Sequence, residues 1–121
     1  METKTVKTFI CVALIAINLS ACGWKPTVTA VPLTSPWKEM SLPVEKDAVV
    51  WGSTPTQFKA VHKAGRAEIG AAYILALTKA GWKQTKKDLG SMDFYDFEKG
   101  TEKFSLNVYD FENTGVIIDK K

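Results

Sequence analysis

The sequence predicts an α+β fold built from an N-terminal hairpin, one central helix and a three-stranded antiparallel meander, with the helix packed on one sheet face. Three observations carry this expectation. Ile69, Tyr73, Ala76, Leu77 and Ala80 recur at spacings of three and four, the apolar stripe of a helix. Met92 to Glu98 and Phe104 to Phe111 alternate on either side of a Lys99-Gly100-Thr101 turn. Ala48-Val49-Val50-Trp51 is a β-rich run closed by Gly52 and the Ser53-Thr54-Pro55 turn signal.

The chain begins with a charged part, Met1 to Thr8, carrying Lys4 and Lys7, followed by an apolar part, Phe9 to Leu19. That is the plan of a secretory signal peptide. The run falls short of the roughly 20 apolar residues that span a bilayer core, and Asn18 interrupts it, so a permanent transmembrane helix is the weaker reading. The residues that follow, Leu19, Ser20, Ala21 and Cys22, match an aliphatic residue, two small residues and a cysteine. In all four positions this resembles the lipobox of bacterial lipoproteins. A buried N-terminal helix with an incidental cysteine is the alternative; Gly23 and the prolines beyond it argue against a continuing helix.

The resemblance implies removal of residues 1–21, a diacylglycerol on the Cys22 thiol and a further acyl chain, such as palmitate, on the new amino group. Stable anchoring takes two signals, each buried methylene contributing about 0.8 kcal/mol. The membrane is therefore the first expected partner, reached through lipid on Cys22. Gly23 stands where aspartate in enterobacterial lipoproteins favours inner-membrane retention, so the expected address is the outer membrane, facing the periplasm.

The chain of 121 residues has a formal charge of +3, and loss of Lys4, Lys7 and Glu2 with the leader lowers this to about +2. Acidic and basic residues are interspersed, which gives no reason to expect nucleic acid. Cys11 leaves with the leader and Cys22 is spent on lipid, so no intramolecular disulfide is expected. Residues 22–42, with Pro26, Pro32 and Pro36, read as a lipidated N-terminus and flexible tether, and residues 43–121 as one small domain. Such a tether has a root-mean-square reach of about 25 Å. Trp24 and Trp37 are unusual in a spacer; Trp24 suits the headgroup level, and Trp37 marks where the chain starts to dock on the domain.

Gln57 to His62 alternates, Phe58, Ala60 and His62 against Gln57, Lys59 and Val61, and reads as the second strand of the hairpin. A helix starting at Pro55 competes, but would enclose Gly65. The helix runs from Ala64 to Trp82, with Gly81 at its C-cap and Lys79 and Lys83 near the negative end of its dipole. Lys86 to Gly90 reads as a polar turn, and Val116 to Asp119 as the closing strand after the turn Glu112-Asn113-Thr114-Gly115. Pairing Lys99 with Glu102 sets Phe97 opposite Phe104 and Tyr95 opposite Leu106. That register places Tyr95, Phe97, Phe104, Leu106 and Val108 on the helix side.

The same register leaves Met92, Phe94, Tyr109 and Phe111, with Ile117, on the other face. Contiguous apolar area of this kind marks a candidate partner-binding patch, Met92, Phe94, Tyr109 and Phe111, unless the tether with Trp37 or the hairpin with Trp51 folds across it. Tyr-Asp-Phe-Glu occurs at Tyr95 to Glu98 and at Tyr109 to Glu112, similar strand-end chemistry rather than a repeat.

His62, the sole histidine, lies near Lys59, Lys63 and Arg66 and reads as a partly exposed strand-end residue rather than a base or ligand. Asp93, Asp96, Asp110 and Asp119 match no calcium-loop spacing. Lys83, Lys86 and Lys87 form a small basic cluster, read as a solvated loop. The sequence contains no G-x-S-x-G, P-loop, dinucleotide fingerprint or H-E-x-x-H. No catalytic residue, metal site or cofactor is therefore expected. The helix ending in Ala80-Gly81-Trp82, the strand end Phe97 to Gly100 and the closing Thr114-Gly115-Val116 loosely resemble small bacterial envelope domains of the β-β-α-β-β-β kind, which implies no particular activity.

The functional expectation is a non-enzymatic, lipid-anchored envelope protein whose domain binds a protein partner or supports envelope assembly. A periplasmic ligand-binding or hydrolase-inhibitor module is the alternative, and an enzyme the third.

Overall fold

A computed structural model describes residues 24–44 and 47–121. After a short 3-10 turn over Trp37–Glu39, the elements are β1 (Ala48–Ser53), β2 (Gln57–His62), α1 (Arg66–Lys79), β3 (Lys83–Asp88), β4 (Asp93–Lys99), β5 (Glu102–Tyr109) and β6 (Thr114–Lys120). The strands form one antiparallel sheet in the order β1-β2-β6-β5-β4-β3. Among the described residues no helix is long and apolar enough to cross a membrane.

This corrects the expected layout of a hairpin, a helix and a three-stranded meander in two ways. First, the hairpin is not apart from the meander: β2 pairs with β6 from Gln57↔Asp119 to His62↔Thr114 and joins both into one six-stranded sheet. A lone meander would leave the outer edge of β6 unpaired, and backbone donors and acceptors seek partners. Second, Lys83–Asp88 is a strand, not a helix end and turn. It is exposed throughout and pairs with β4 on one side only, so no apolar alternation announces it.

Between β4 and β5 the register sets Lys99 opposite Glu102, Phe97 opposite Phe104 and Tyr95 opposite Leu106. Phe97, Phe104, Leu106, Val108, Val116, Ile118, Phe58 and Ala60 are buried with Ile69, Tyr73 and Leu77 of the helix. Trp82 closes one side of this core, its ring 4.3 Å from that of Phe104. Trp37 and Leu42 belong to the same cluster; Trp37 is 1% exposed, packs on Phe58 and donates its indole N–H to the Thr54 carbonyl at 2.6 Å. Core contacts thus extend into the segment read as a tether.

The helix ends as its sequence requires. Gly81 adopts φ +97°, the left-handed region that glycine enters freely. Trp82 N–H bonds the Leu77 carbonyl and Gly81 N–H that of Thr78, the paired bonds of a Schellman cap. Lys99 adds a charge-assisted bond to the Ala80 carbonyl at 2.7 Å, where the dipole favours a cation. At the other end no side chain caps Gly65. The Thr114 hydroxyl instead donates to the Ala64 carbonyl and the Asn113 amide to the Lys63 carbonyl, fixing the entry of the helix to the start of β6.

Candidate functional site

The lipobox residues Leu19, Ser20 and Ala21 and the expected lipidation site Cys22 lie outside the described residues. Met92, Phe94, Tyr109 and Phe111 lie in or beside β4 and β5. Strand side chains alternate between faces, so Phe94, paired with Asn107, and Tyr109, paired with Gly115, point away from the helix. Met92 is 47% exposed, while Phe94, Tyr109 and Phe111 are half-buried.

Of these four, two are drawn into a tighter aromatic group with the hairpin. Tyr109 and Phe111 stack at 5.9 Å and 14°, and Phe111 packs at 5.9 Å against Trp51 of β1. Lys59 completes this group, its ammonium 4.2 Å from the centre of the Trp51 ring. Beneath lies Gly115, where a Cβ would fall 2.7 Å from Cζ of Tyr109, so the tyrosine ring occupies the space that a side chain on β6 would fill. Trp51 sits in a β-bulge between Val50 and Gly52. Its indole N–H is buried and has no hydrogen-bond partner among the described residues. Phe94 lies under the Lys86 ammonium at 5.8 Å. The open part of the face is therefore Met92, Phe94 and the outer side of Tyr109.

Burial raises the pKa of Tyr109 above its ordinary value. That of Tyr95 is raised as well, first by burial and then by the nearby Asp93 carboxylate, with Arg66 acting in the opposite sense.

His62 is not partly exposed, as its strand-end position suggested. It is 2% exposed, and its Nε2 lies 2.7 Å from the Tyr73 hydroxyl, with the two rings edge to face. The reason is its place on the Phe58 and Ala60 side of β2, which the helix covers. An open groove of about 510 Å³ beside it is lined by Pro43, Asp47, Lys63, Glu68 and Ala72.

The aspartates are dispersed. Asp93 faces Arg66 at 3.8 Å, Asp96 accepts from Lys121 at 2.9 Å, Asp119 accepts from Gln57 at 2.8 Å, and Asp110 is exposed. Among the described residues no three histidine, cysteine or acidic side chains stand close enough to hold a metal ion. Lys83, Lys86 and Lys87 lie on β3 opposite Glu98, Asp96 and Tyr95, so the cluster is a strand edge and not a loop.

Trp24, Thr27 and Glu112 carry contacts that the sequence did not announce. Trp24 donates its indole N–H to the Glu112 carbonyl at 3.3 Å, and Thr27 donates both its backbone N–H, at 3.0 Å, and its hydroxyl to the Glu112 carboxylate. Glu112 itself has φ +51°, a conformation costing a non-glycine residue about 1–2 kcal/mol, and the following Asn113 has φ +82°. Pro26 within this stretch and Pro32 beyond it are the stronger local signal, and nothing in the spacing links residues 24–27 to a turn some 85 residues later.

Comparison with protein families, with characterised proteins and with solved structures gives no match to the chain.

Proposed function

We propose that the chain is a non-enzymatic, lipid-anchored envelope lipoprotein, cut before Cys22 and acylated there, whose small domain binds a protein partner through the helix-free face of its sheet. The address rests on Leu19-Ser20-Ala21-Cys22 at the end of a charged and apolar leader, and Gly23 in place of aspartate favours the outer membrane. The observation that carries the binding reading is Met92, 47% exposed, beside the half-buried Phe94 and Tyr109 on a face with no helix over it. An apolar surface of this size suits a small, reversible contact with an apolar side chain or two of the partner.

The test uses a photo-crosslinking residue at Phe94 in the full-length protein in cells, with the same residue at Leu75, which is exposed on the helix, as the control. One protein captured from Phe94, absent from Leu75 and lost when Met92→Lys is added, is the expected result. Equal capture from both positions refutes the assignment of the face.

A further inference from the structure

We propose that the fold rests directly on the lipid surface with one end of its sheet, instead of standing off on a tether; this rests on the reading of Cys22 as the lipidated residue. From Trp24 onward the chain is bound to the sheet. Trp24 and Thr27 hold the β5–β6 turn through Glu112, Val31 N–H bonds the Val50 carbonyl at 2.9 Å, and Thr34 bonds Ser53 through backbone and side chain. Only Gly23 separates Cys22 from Trp24. Two residues span at most about 7 Å, so the acyl chains leave the protein within that distance of Trp24, against about 25 Å for a free chain of some 20 residues.

The end of the sheet fixed in this way is defined by the strand register. Ala48↔His62, His62↔Thr114 and Asp93↔Val108 all lie there, together with the connection between β3 and β4. That connection carries Leu89, 56% exposed, and Met92, 47% exposed. The other large exposed apolar residues, Leu75 and Val31, lie on the helix and beside β1. Trp24 and Leu89 thus gather at the end nearest the anchor, with Met92 at its border with the helix-free face, and an indole at headgroup level is a favourable placement. Lys25, Lys63 and Arg66 at this end are offset by Asp47, Asp88, Asp93, Asp110 and Glu112. The contact is therefore set by anchor length and apolar side chains, and a zwitterionic surface suffices. The strands stand up from the membrane, and the helix-free face looks sideways along it.

Full-length lipidated protein in phosphatidylcholine vesicles tests this, with a headgroup acceptor dye and a donor on Asp110→Cys or, separately, on Glu102→Cys. Both positions are exposed and sit at opposite ends of β5. Eight residues of strand place the second donor about 20 Å or more further from the bilayer. The expected result is strong transfer from position 110 and its loss at position 102. The triple variant Trp24→Phe, Thr27→Val, Glu112→Gly, shown to be folded by its circular dichroism, should bring the two positions towards equality. Membrane-bound protein with equal transfer from both positions overturns the proposal while leaving lipidation intact. A mature N-terminus whose mass shows no acyl chain on Cys22 overturns both.

Discussion

Gly115→Ala isolates the packing of the aromatic group on the helix-free face. The new methyl carbon would lie 2.7 Å from Cζ and 3.0 Å from Cε1 of Tyr109 and 3.1 Å from Cβ of Phe111. Carbon atoms rest at about 3.5–4.0 Å, so the tyrosine ring must retreat by about 1 Å, and its stacking on Phe111 and the Phe111 contact with Trp51 retreat with it. Overpacking of this kind costs about 1–3 kcal/mol. Replacing a strand glycine returns about 0.5–1 kcal/mol of backbone entropy, and Gly115 has no positive φ to strain the alanine. The net loss is about 0–2.5 kcal/mol, each kcal/mol lowering the melting temperature by about 4–8 °C in a domain of this size. The assay is a double-mutant cycle with Tyr109→Ala by thermal denaturation. Removing the ring removes the clash, so Gly115→Ala becomes neutral or stabilising in that background, a coupling of about 1 kcal/mol or more. Additive losses, or a stabilising Gly115→Ala in the parent chain, refute the reasoning.

Trp51→Phe deletes an indole N–H that is buried without a partner, and relief of that penalty, about 1–3 kcal/mol, offsets the lost contact area. Chemical denaturation should place it within about 1 kcal/mol of the parent, whereas Trp51→Ala, at a half-buried position outside the core, loses more, about 2–3 kcal/mol; equal losses for the two contradict the account. Tyr73→Phe withdraws the hydroxyl from buried His62 and should lower the urea midpoint at unchanged slope, by about 1–3 kcal/mol, while an unshifted midpoint shows that the bond contributes nothing. Tyr95 and Tyr109 have folded-state pKa values raised above those of the unfolded chain. Above about pH 10 the unfolded chain therefore releases these protons first. Stability is full below that value and falls as pH rises through the higher folded values. Ultraviolet titration should show tyrosine ionisation delayed until the protein unfolds, and a flat stability profile up to pH 12 removes the prediction.

What the sequence made legible is what is periodic and local. Tyr95, Phe97, Phe104 and Leu106 alternate about a tight turn, and their register across β4 and β5 follows from turn length and side-chain parity. The helix stripe and its glycine stop are equally local. The sheet was not legible, because its joint between β2 and β6 links residues more than 50 positions apart, and nothing in Gln57–His62 names its partner. Lys83–Asp88 was lost for a different reason: a strand exposed on both faces carries no hydrophobic signal at all. On the candidate face, Met92 and Phe94 could be placed by parity alone. The cover over Phe111 could not, because Trp51 reaches it only through that distant joint. His62 shared its parity with Phe58 and Ala60, so the signal for its burial was present and was outweighed by its charged sequence neighbours.

The two borders of the sheet end in opposite ways. Beside β1, the Val31 amide takes up the Val50 carbonyl and Thr34 ties to Ser53, so that border is blunted by the chain itself. At β3 the border is open, but Lys83, Lys86 and Lys87 line it and a bulge between Gln84 and Lys86 breaks its regularity. Both are devices against strand-to-strand addition. If the molecule is held upright on a surface as proposed, every neighbour arrives in the same orientation and two copies meeting side by side find one finished margin and one charged margin. In that arrangement copies could be crowded in two dimensions without knitting their sheets into a ribbon.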